Sequence, residues 1–294
     1  MRASLIAILE SMRPRQWAKN LFVFAGLLFA QKLFTPLAVV ALAAFVIFCA
    51  LSGAIYLIND VADREKDRLH PRKRERPVAS GRLSVPAAVA SAVTLIVLAL
   101  GAGLLISWPF AAVAAAYAGL LILYSAWLKH VVIVDVLVVA SGFVLRAVGG
   151  AVAIGVEISG WLLICTILLA LFLALGKRRH EYLTLGDGAA THRPILAEYS
   201  AALIDQMIAV VTASTMIAYI FYTISPETSA KFGTDWLGLT IPFPLYGIFR
   251  YLYLVHRREG GGNPSDLLLS DRPLLACVML WVIAVVLIIY GPWS

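Results

Sequence analysis

The chain has 294 residues, 61% of them hydrophobic and 14% charged, with a mean hydropathy of +0.88. A soluble domain runs to about half apolar and a quarter charged, so a disordered chain, a collagen-like repeat and a soluble nucleic-acid-binding domain are excluded. Lys and Arg number 24 against 17 Asp and Glu, a net charge of +7; in an integral membrane protein such an excess first of all holds loops on the cytoplasmic side.

The N-terminal stretch Met1 to Asn20 is basic but lacks a short apolar core and a small-residue cleavage site, so no removable signal peptide is expected. Apolar runs long enough to span a bilayer, about 20 residues each, predict helices at 17–33, 36–58, 85–107, 110–127, 131–154, 160–176, 200–224, 236–255 and 274–290. The expected fold is therefore all-α, a polytopic membrane protein of about nine spans, with residues 1–294 forming a single domain. The first span is interrupted by Gln31 and Lys32. Three hydrophilic loops, 59–84, 177–199 and 256–273, are separated by even numbers of spans and so share one face. With the N-terminus and the Lys129 turn, that face carries every base except Lys32, Arg146, Lys231 and Arg250, the last near the end of its span on that same face, which makes it cytoplasmic. Cys49, Cys165 and Cys277 sit singly in apolar runs and suggest neither disulfides nor zinc.

The strongest chemical signal closes the second span. Asp60, Asp63 and Asp67 are spaced i, i+3, i+7, which on a straight helix places them within a sector of about 60° over about 10 Å. Three carboxylates this close repel unless a cation sits among them, and oxygen ligands on one face suit Mg²⁺ bridging to substrate phosphates. The basic segment from Arg72 to Arg82 follows directly. Alone it reads as a headgroup contact; beside an acidic metal site it reads as the other half of a diphosphate pocket, with Arg76, held before Pro77, the favoured contact. Arg13-Pro-Arg-Gln-Trp-Ala-Lys-Asn20 precedes the first span. Trp17 reads as an interface anchor and Arg13 as a topology charge, with Lys19 and Asn20 placed to reach an anion. In the fifth span Asp135 and Arg146 lie about 16 Å apart along the axis and cannot pair directly; an intramembrane Arg is a functional candidate by default. The run Lys177-Arg178-Arg179 is a topology signal or a phosphate site, and Glu181 and Asp187 are candidate ligands of a second metal.

Asn-Asp-x-x-Asp-x-x-x-Asp after the second of nine helices, followed by Arg-Pro-x-x-Ser-Gly, resembles the UbiA superfamily of intramembrane transferases. The resemblance runs over nearly the whole chain and includes Tyr124-Ser-Ala-Trp-Leu-Lys129 at the end of the fourth span. It implies that Asn59, Asp60, Asp63 and Asp67 form a Mg²⁺–diphosphate site, with Arg76, Tyr124 and Lys129 around it. Most members transfer a prenyl group from its diphosphate to an aromatic acceptor, and that activity is the alternative reading. The second acidic motif of typical members is replaced here by Lys177-Arg-Arg-His-Glu181. Together with the Arg13–Asn20 motif and the Asp135/Arg146 pair, this is similar to the decaprenyl-phosphate phosphoribosyltransferase branch. The resemblance to that branch implies phosphoribosyl diphosphate as donor, decaprenyl or another polyprenyl phosphate as acceptor, and a cell-wall arabinan precursor as product. It also implies an inner (plasma) membrane location with the site facing the cytoplasm. A ligand set with three phosphate-bearing groups needs many cations, and Lys19, Arg76, Lys129, Lys177, Arg178 and Arg179 are the candidates. The lipid bilayer is an expected partner, a homo-oligomer is a further candidate, and nucleic acid is not expected.

Overall fold

In lipid a backbone has no water to pair with, so apolar runs of this length satisfy their polar groups within helices. The computed structural model describes residues 2–71, 73–185, 194–257 and 264–291, and among them the chain is all-α with no strand. The helices are α1 (Arg2–Ser11), α2 (Ala25–Phe29), α3 (Leu37–Ala62), α4 (Arg64–Leu69), α5 (Val85–Ile106), α6 (Trp108–Ala126) and α7 (Val134–Ala153). They continue with α8 (Gly160–Leu185), α9 (Ala201–Ile224), α10 (Pro226–Phe232), α11 (Pro242–Arg257), α12 (Pro264–Ser270) and α13 (Arg272–Tyr290). Helix starts carry side-chain caps where the sequence offers them: Ser84, Ser200 and Asp271 accept from the backbone N–H of Ala87, Leu203 and Leu274.

Seven of these helices, α3, α5, α6, α7, α8, α9 and α13, are long and apolar enough to cross a bilayer, and the chain is an integral membrane protein. Nine continuous spans are not found among the described residues. The expected span 17–33 is broken: Pro14–Phe24 is a 3₁₀ segment, α2 follows for five residues, and the chain turns through Gln31 at φ 57°. The expected span 236–255 starts as the 3₁₀ turn Trp236–Thr240 and becomes α-helical only at Pro242, whose ring has no N–H to give the preceding turn. The expected loops also differ. α8 runs on through Leu185, so Lys177, Arg178 and Arg179 stand on a helix rather than in a loop. Lys, Arg and Glu are good helix formers, and Glu181 pairs with Lys177 and Arg178 one turn back.

The chain divides into two compact units, one of Met1–Leu27, Lys32–Ala126 and Leu145–Glu157, the other of Leu28–Gln31, Trp127–Val144 and Ile158–Ser294. In the first, Phe48 of α3 packs edge-on against Phe110 and Tyr117 of α6, with ring centroids 6.0 and 5.0 Å away. Towards the end of α3, Ala54 and Leu57 bury against Ala88 and Ala92 of α5 and against Val78 and Leu83 of the basic segment. The 3₁₀ segment is 11 residues long, where runs beyond three or four are uncommon. It lies close on the second half of α7 because that surface is glycine: a Cβ added at Gly150 would overlap the Val23 carbonyl, and one at Gly26 would come within 2.9 Å of Ala151. This approach delivers Asn20 to the interior.

In the second unit, Phe172 and Leu175 of α8, Ile204 and Ile208 of α9, and Tyr251 of α11 form one buried cluster. Gly176 leaves room for the Tyr251 ring, since a Cβ there would sit 2.8 Å from the phenol oxygen. A second cluster gathers Tyr219, Tyr222, Phe232, Leu237 and Val285. Its polar atoms are satisfied internally: Trp281 Nε1 donates to Tyr219 Oη at 2.8 Å, and that hydroxyl pairs with Thr240 at 2.6 Å.

The Gly150 contact gives a direct test. Gly150→Ala lowers the thermal midpoint of the detergent-solubilised protein by the equivalent of about 1–3 kcal/mol of overpacking. Gly119→Ala, where an added Cβ meets nothing within 4 Å, leaves the midpoint unchanged or raises it. Equal midpoints for the two variants would refute the close approach.

Candidate active site

The acidic motif sits where α3 ends. Asp63 closes α3 and opens α4 with φ −93° and ψ 6°, the sparsely populated bridge region. Its N–H still reaches the Asn59 carbonyl at 2.9 Å and its own carbonyl accepts from Asp67 at 2.8 Å. The helix thus bends at Asp63 while its i→i−4 hydrogen bonding carries on through the bend. Among the described residues no group of three or more His, Cys, Asp or Glu is placed to hold a metal. Two of the acids are gathered. Asp60 and Asp67 are 1% and 3% exposed, and Arg76 bridges them, donating to Asp67 Oδ2 at 2.6 Å and to Asp60 Oδ1 at 3.3 Å.

Arg76 owes its position to a knitted segment. Val78 and Leu83 are buried beneath it, Arg68 Nε donates to the Ala79 carbonyl at 3.2 Å, and Arg82 grips Glu10 with both terminal nitrogens at 2.7 and 2.8 Å. A second guanidinium, which sequence reasoning left as a topology charge, also reaches the motif: Arg13 Nη2 donates to Asp60 Oδ1 at 2.5 Å, and its guanidinium lies 4.6 Å over the Tyr56 ring. The Arg13-Pro-Arg motif was visible in the sequence; its meeting with Asp60 needs the path of the 3₁₀ segment. Asn59 and Tyr124 are half-buried on the last turns of α3 and α6, and Lys19 is half-buried on the 3₁₀ segment.

Deeper in the same unit Arg146 is 7% exposed. Its Nε donates to Asn20 Oδ1 at 2.7 Å and its Nη2 to Tyr117 Oη at 2.6 Å, with the Tyr117 ring 4.8 Å from the guanidinium carbon. Asn20 Nδ2 faces Cys49 Sγ at 3.1 Å and Ser52 Oγ at 3.3 Å. The structure therefore brings two expected site residues, Asn20 and Arg146, into one buried network and supplies the partner that Asp135 was too distant to be.

In the second unit the basic run divides by helical direction. Arg178 is 2% exposed; its Nε pairs with Asp135 Oδ2 at 2.7 Å, and Glu181 takes another of its nitrogens. Lys177 faces Glu181 at 3.7 Å, and Arg179 pairs with Asp205 at 2.6 Å. Arg178 is thus committed to carboxylates rather than standing open to a phosphate. Glu181 lies between two bases, and Asp187 lies outside the described residues. Lys129 is half-buried on the 3₁₀ turn Leu128–His130.

Tyr199, unremarked in the sequence, organises this corner. Its hydroxyl donates to Asp135 Oδ1 at 2.9 Å and accepts from the Ile133 N–H at 2.8 Å. Ile133 has φ 67°, a costly conformation for a β-branched residue. Burial pushes the Tyr199 phenol up to about 12, opposed by the Ile133 N–H and reinforced by the Asp135 charge.

The donor set at α3 passes one test for a hard divalent ion. Asp60 Oδ2 is buried with no hydrogen-bond partner among the described residues, a costly arrangement unless something electropositive meets it.

The model of the UbiA prenyltransferase family matches residues 20–270. The chain belongs to the UbiA prenyltransferase family. Its relatives include proteins named decaprenyl-phosphate phosphoribosyltransferase from Corynebacterium glutamicum, 34% identical over 96% of this chain and 86% of that protein, and from Mycolicibacterium smegmatis, 33% identical over 94% and 90%. Two solved structures of a UbiA homologue from Archaeoglobus fulgidus, bound to DMAPP and Mg²⁺ and to GPP and Mg²⁺, share the fold. Their TM-scores are 0.72 and 0.73 at 19% identity, covering 97% of this chain and 99% of theirs. Within the UbiA frame, this chain's departure at Lys177–Glu181 is a helix end whose charges are paired within the second unit.

Tyr199→Phe removes both hydroxyl contacts and destabilises the protein by about 1–3 kcal/mol, the cost of stranding buried partners. A raised tyrosine pKa contributes stability that is complete below the unfolded value near 10 and is lost as pH rises through about 12. The difference in phenolate absorbance between wild type and Tyr199→Phe therefore develops only near pH 12; a difference complete by pH 10 would contradict the burial.

Proposed function

We propose that this chain transfers the 5-phosphoribosyl group of phosphoribosyl diphosphate to decaprenyl phosphate, or to another polyprenyl phosphate, and releases diphosphate. Residues 1–294 act as one transferase domain in the inner (plasma) membrane, with the site on the cytoplasmic face, and the product feeds arabinan synthesis in the cell wall. The observation that carries the reading is identity of 33–34% to relatives of that name over 94–96% of the chain. The geometry adds a fitting donor site, with carboxylates and guanidinium groups interleaved at the end of α3.

In this reading Asp60 and Asp67 hold Mg²⁺, with Asp63 as a further ligand at the turn. A divalent ion held there would supply charge neutralisation for the leaving diphosphate. Arg76, fixed by its own buried segment, orients the diphosphate, and Lys19, Asn59 and Tyr124 line its surroundings. Lys129, Lys177 and Arg179 carry over as candidates for the remaining phosphates. Arg178 serves instead as a positioning residue for the end of α8, through Asp135. Asn20 and Arg146 form a polar floor beneath the site, held by Tyr117.

The bond between ribose C1 and the diphosphate oxygen breaks while an acceptor phosphate oxygen bonds to C1. The acceptor is already anionic near pH 7, so no strong general base is required, and the proposed site includes none. Positioning and electrostatic stabilisation carry the reaction.

Purified protein releases diphosphate only when Mg²⁺, phosphoribosyl diphosphate and a polyprenyl phosphate are all present, and label from the ribose enters the lipid fraction. Asp60→Asn lowers turnover by about 100-fold or more. Transfer from a polyprenyl diphosphate to an aromatic acceptor, with no ribose in the lipid, would overturn this reading in favour of ordinary prenyl transfer.

A further inference from the structure

Among the described residues, the charged groups that bear on Asp60 include Arg13, Arg76 and Asp67. Two guanidinium groups converge on one oxygen of this carboxylate, at 2.5 and 3.3 Å, while its second oxygen is buried without a hydrogen-bond partner among the described residues. These four residues, two carboxylates and two guanidinium groups, carry no net charge among themselves. The two bases are not equivalent. Arg76 also holds Asp67 at 2.6 Å and sits on a segment packed beneath it. Arg13 meets only Asp60 among these acids, and its side chain is 29% exposed.

Arg13 is also held in place at a cost. It has φ 53° and ψ 67° immediately before Pro14, a position at which the proline ring favours extended backbone. A left-handed conformation at such a site is sustained by its surroundings and is the kind of strain found at ligand clamps. Here the surroundings are the Asp60 carboxylate and the Tyr56 ring. A residue serving only to mark topology needs neither.

We infer that Arg13 is a binding residue of the donor site: its guanidinium competes with the divalent cation for Asp60 and becomes a contact of the donor's diphosphate once the cation is bound. This rests on the reading of the acidic motif given above. The charge count supplies the logic. A divalent cation entering this set, even with Asp63 as a further ligand, leaves an excess of positive charge, so it binds weakly alone. A diphosphate that brings the balancing negative charge finds Arg13 released towards it. Cation and diphosphate therefore favour each other's binding, and the coupling is reciprocal. Without Arg13, the cation loses a competitor and the diphosphate loses a partner.

The experiment titrates Mn²⁺ into the full-length protein in detergent, reading free Mn²⁺ by electron paramagnetic resonance, with and without inorganic diphosphate. Arg13→Gln binds Mn²⁺ alone about tenfold more tightly than wild type, and the tightening produced by diphosphate shrinks about tenfold, as expected for removal of one close charge. Arg13→Lys, which keeps the charge but loses the fork, falls between them; it also tests the idea if the Gln variant does not fold. A merely structural ion pair gives unchanged or weaker Mn²⁺ binding in Arg13→Gln, and either result overturns the inference. Asp60→Asn separates the two readings. Equal Mn²⁺ binding by wild type and Asp60→Asn removes the metal site and this inference with it, whereas Asp60-dependent binding that Arg13→Gln leaves unshifted removes the inference alone.

Discussion

A carboxylate buried at the end of an apolar helix must be met by positive charge, and each unit of this protein answers with a guanidinium carried on another segment. Asp60 and Asp67 are met by Arg13 and Arg76, and Asp135 by Arg178. Removing one partner of such a pair strands the other in a poorly hydrated place, at a cost of several kcal/mol. The segments that carry these bases are therefore tied to the helices they serve, and the remaining polar architecture follows from that tie. Arg76 needs Val78 and Leu83 buried beneath it; Arg178 needs α8 to stay helical beyond the apolar run.

The interior cation at Arg146 is resolved differently. Its hydrogen bonds to Asn20 and Tyr117 go to neutral oxygens, so the charge is solvated by dipoles and an aromatic face. That solution depends on a backbone detail: without Gly150, the Val23 carbonyl and the chain around it could not lie so close, and Asn20 would not arrive. Glycine here acts by what it leaves out.

Much of this was legible in the sequence. Hydropathy marked the seven continuous spans, because lipid imposes one backbone solution on long apolar runs. The spacing of Asp60 and Asp67, the proline after Arg76 and the depth of Arg146 each pointed to residues that the structure gathers. Features set by chain path were not legible. The bend at Asp63 is one, since the spacing of the acids describes a straight helix. Two apolar stretches read as spans, although Pro242 and Gln31 break their regularity. Arg13 read only as a topology charge and Tyr199 passed unremarked, because their roles depend on partners 47 and 64 residues away, and one sequence carries no record of such distances.

The length of α8 has a mechanical corollary. Its 26 residues extend about 39 Å at 1.5 Å per residue, against about 30 Å of hydrocarbon. Its charged end is thus long enough to pass the edge of the hydrocarbon as one stiff rod, with Lys177 tied to Glu181 and Arg179 to Asp205. Side chains held in this way gave up their freedom when the protein folded, and little of it remains to be surrendered later.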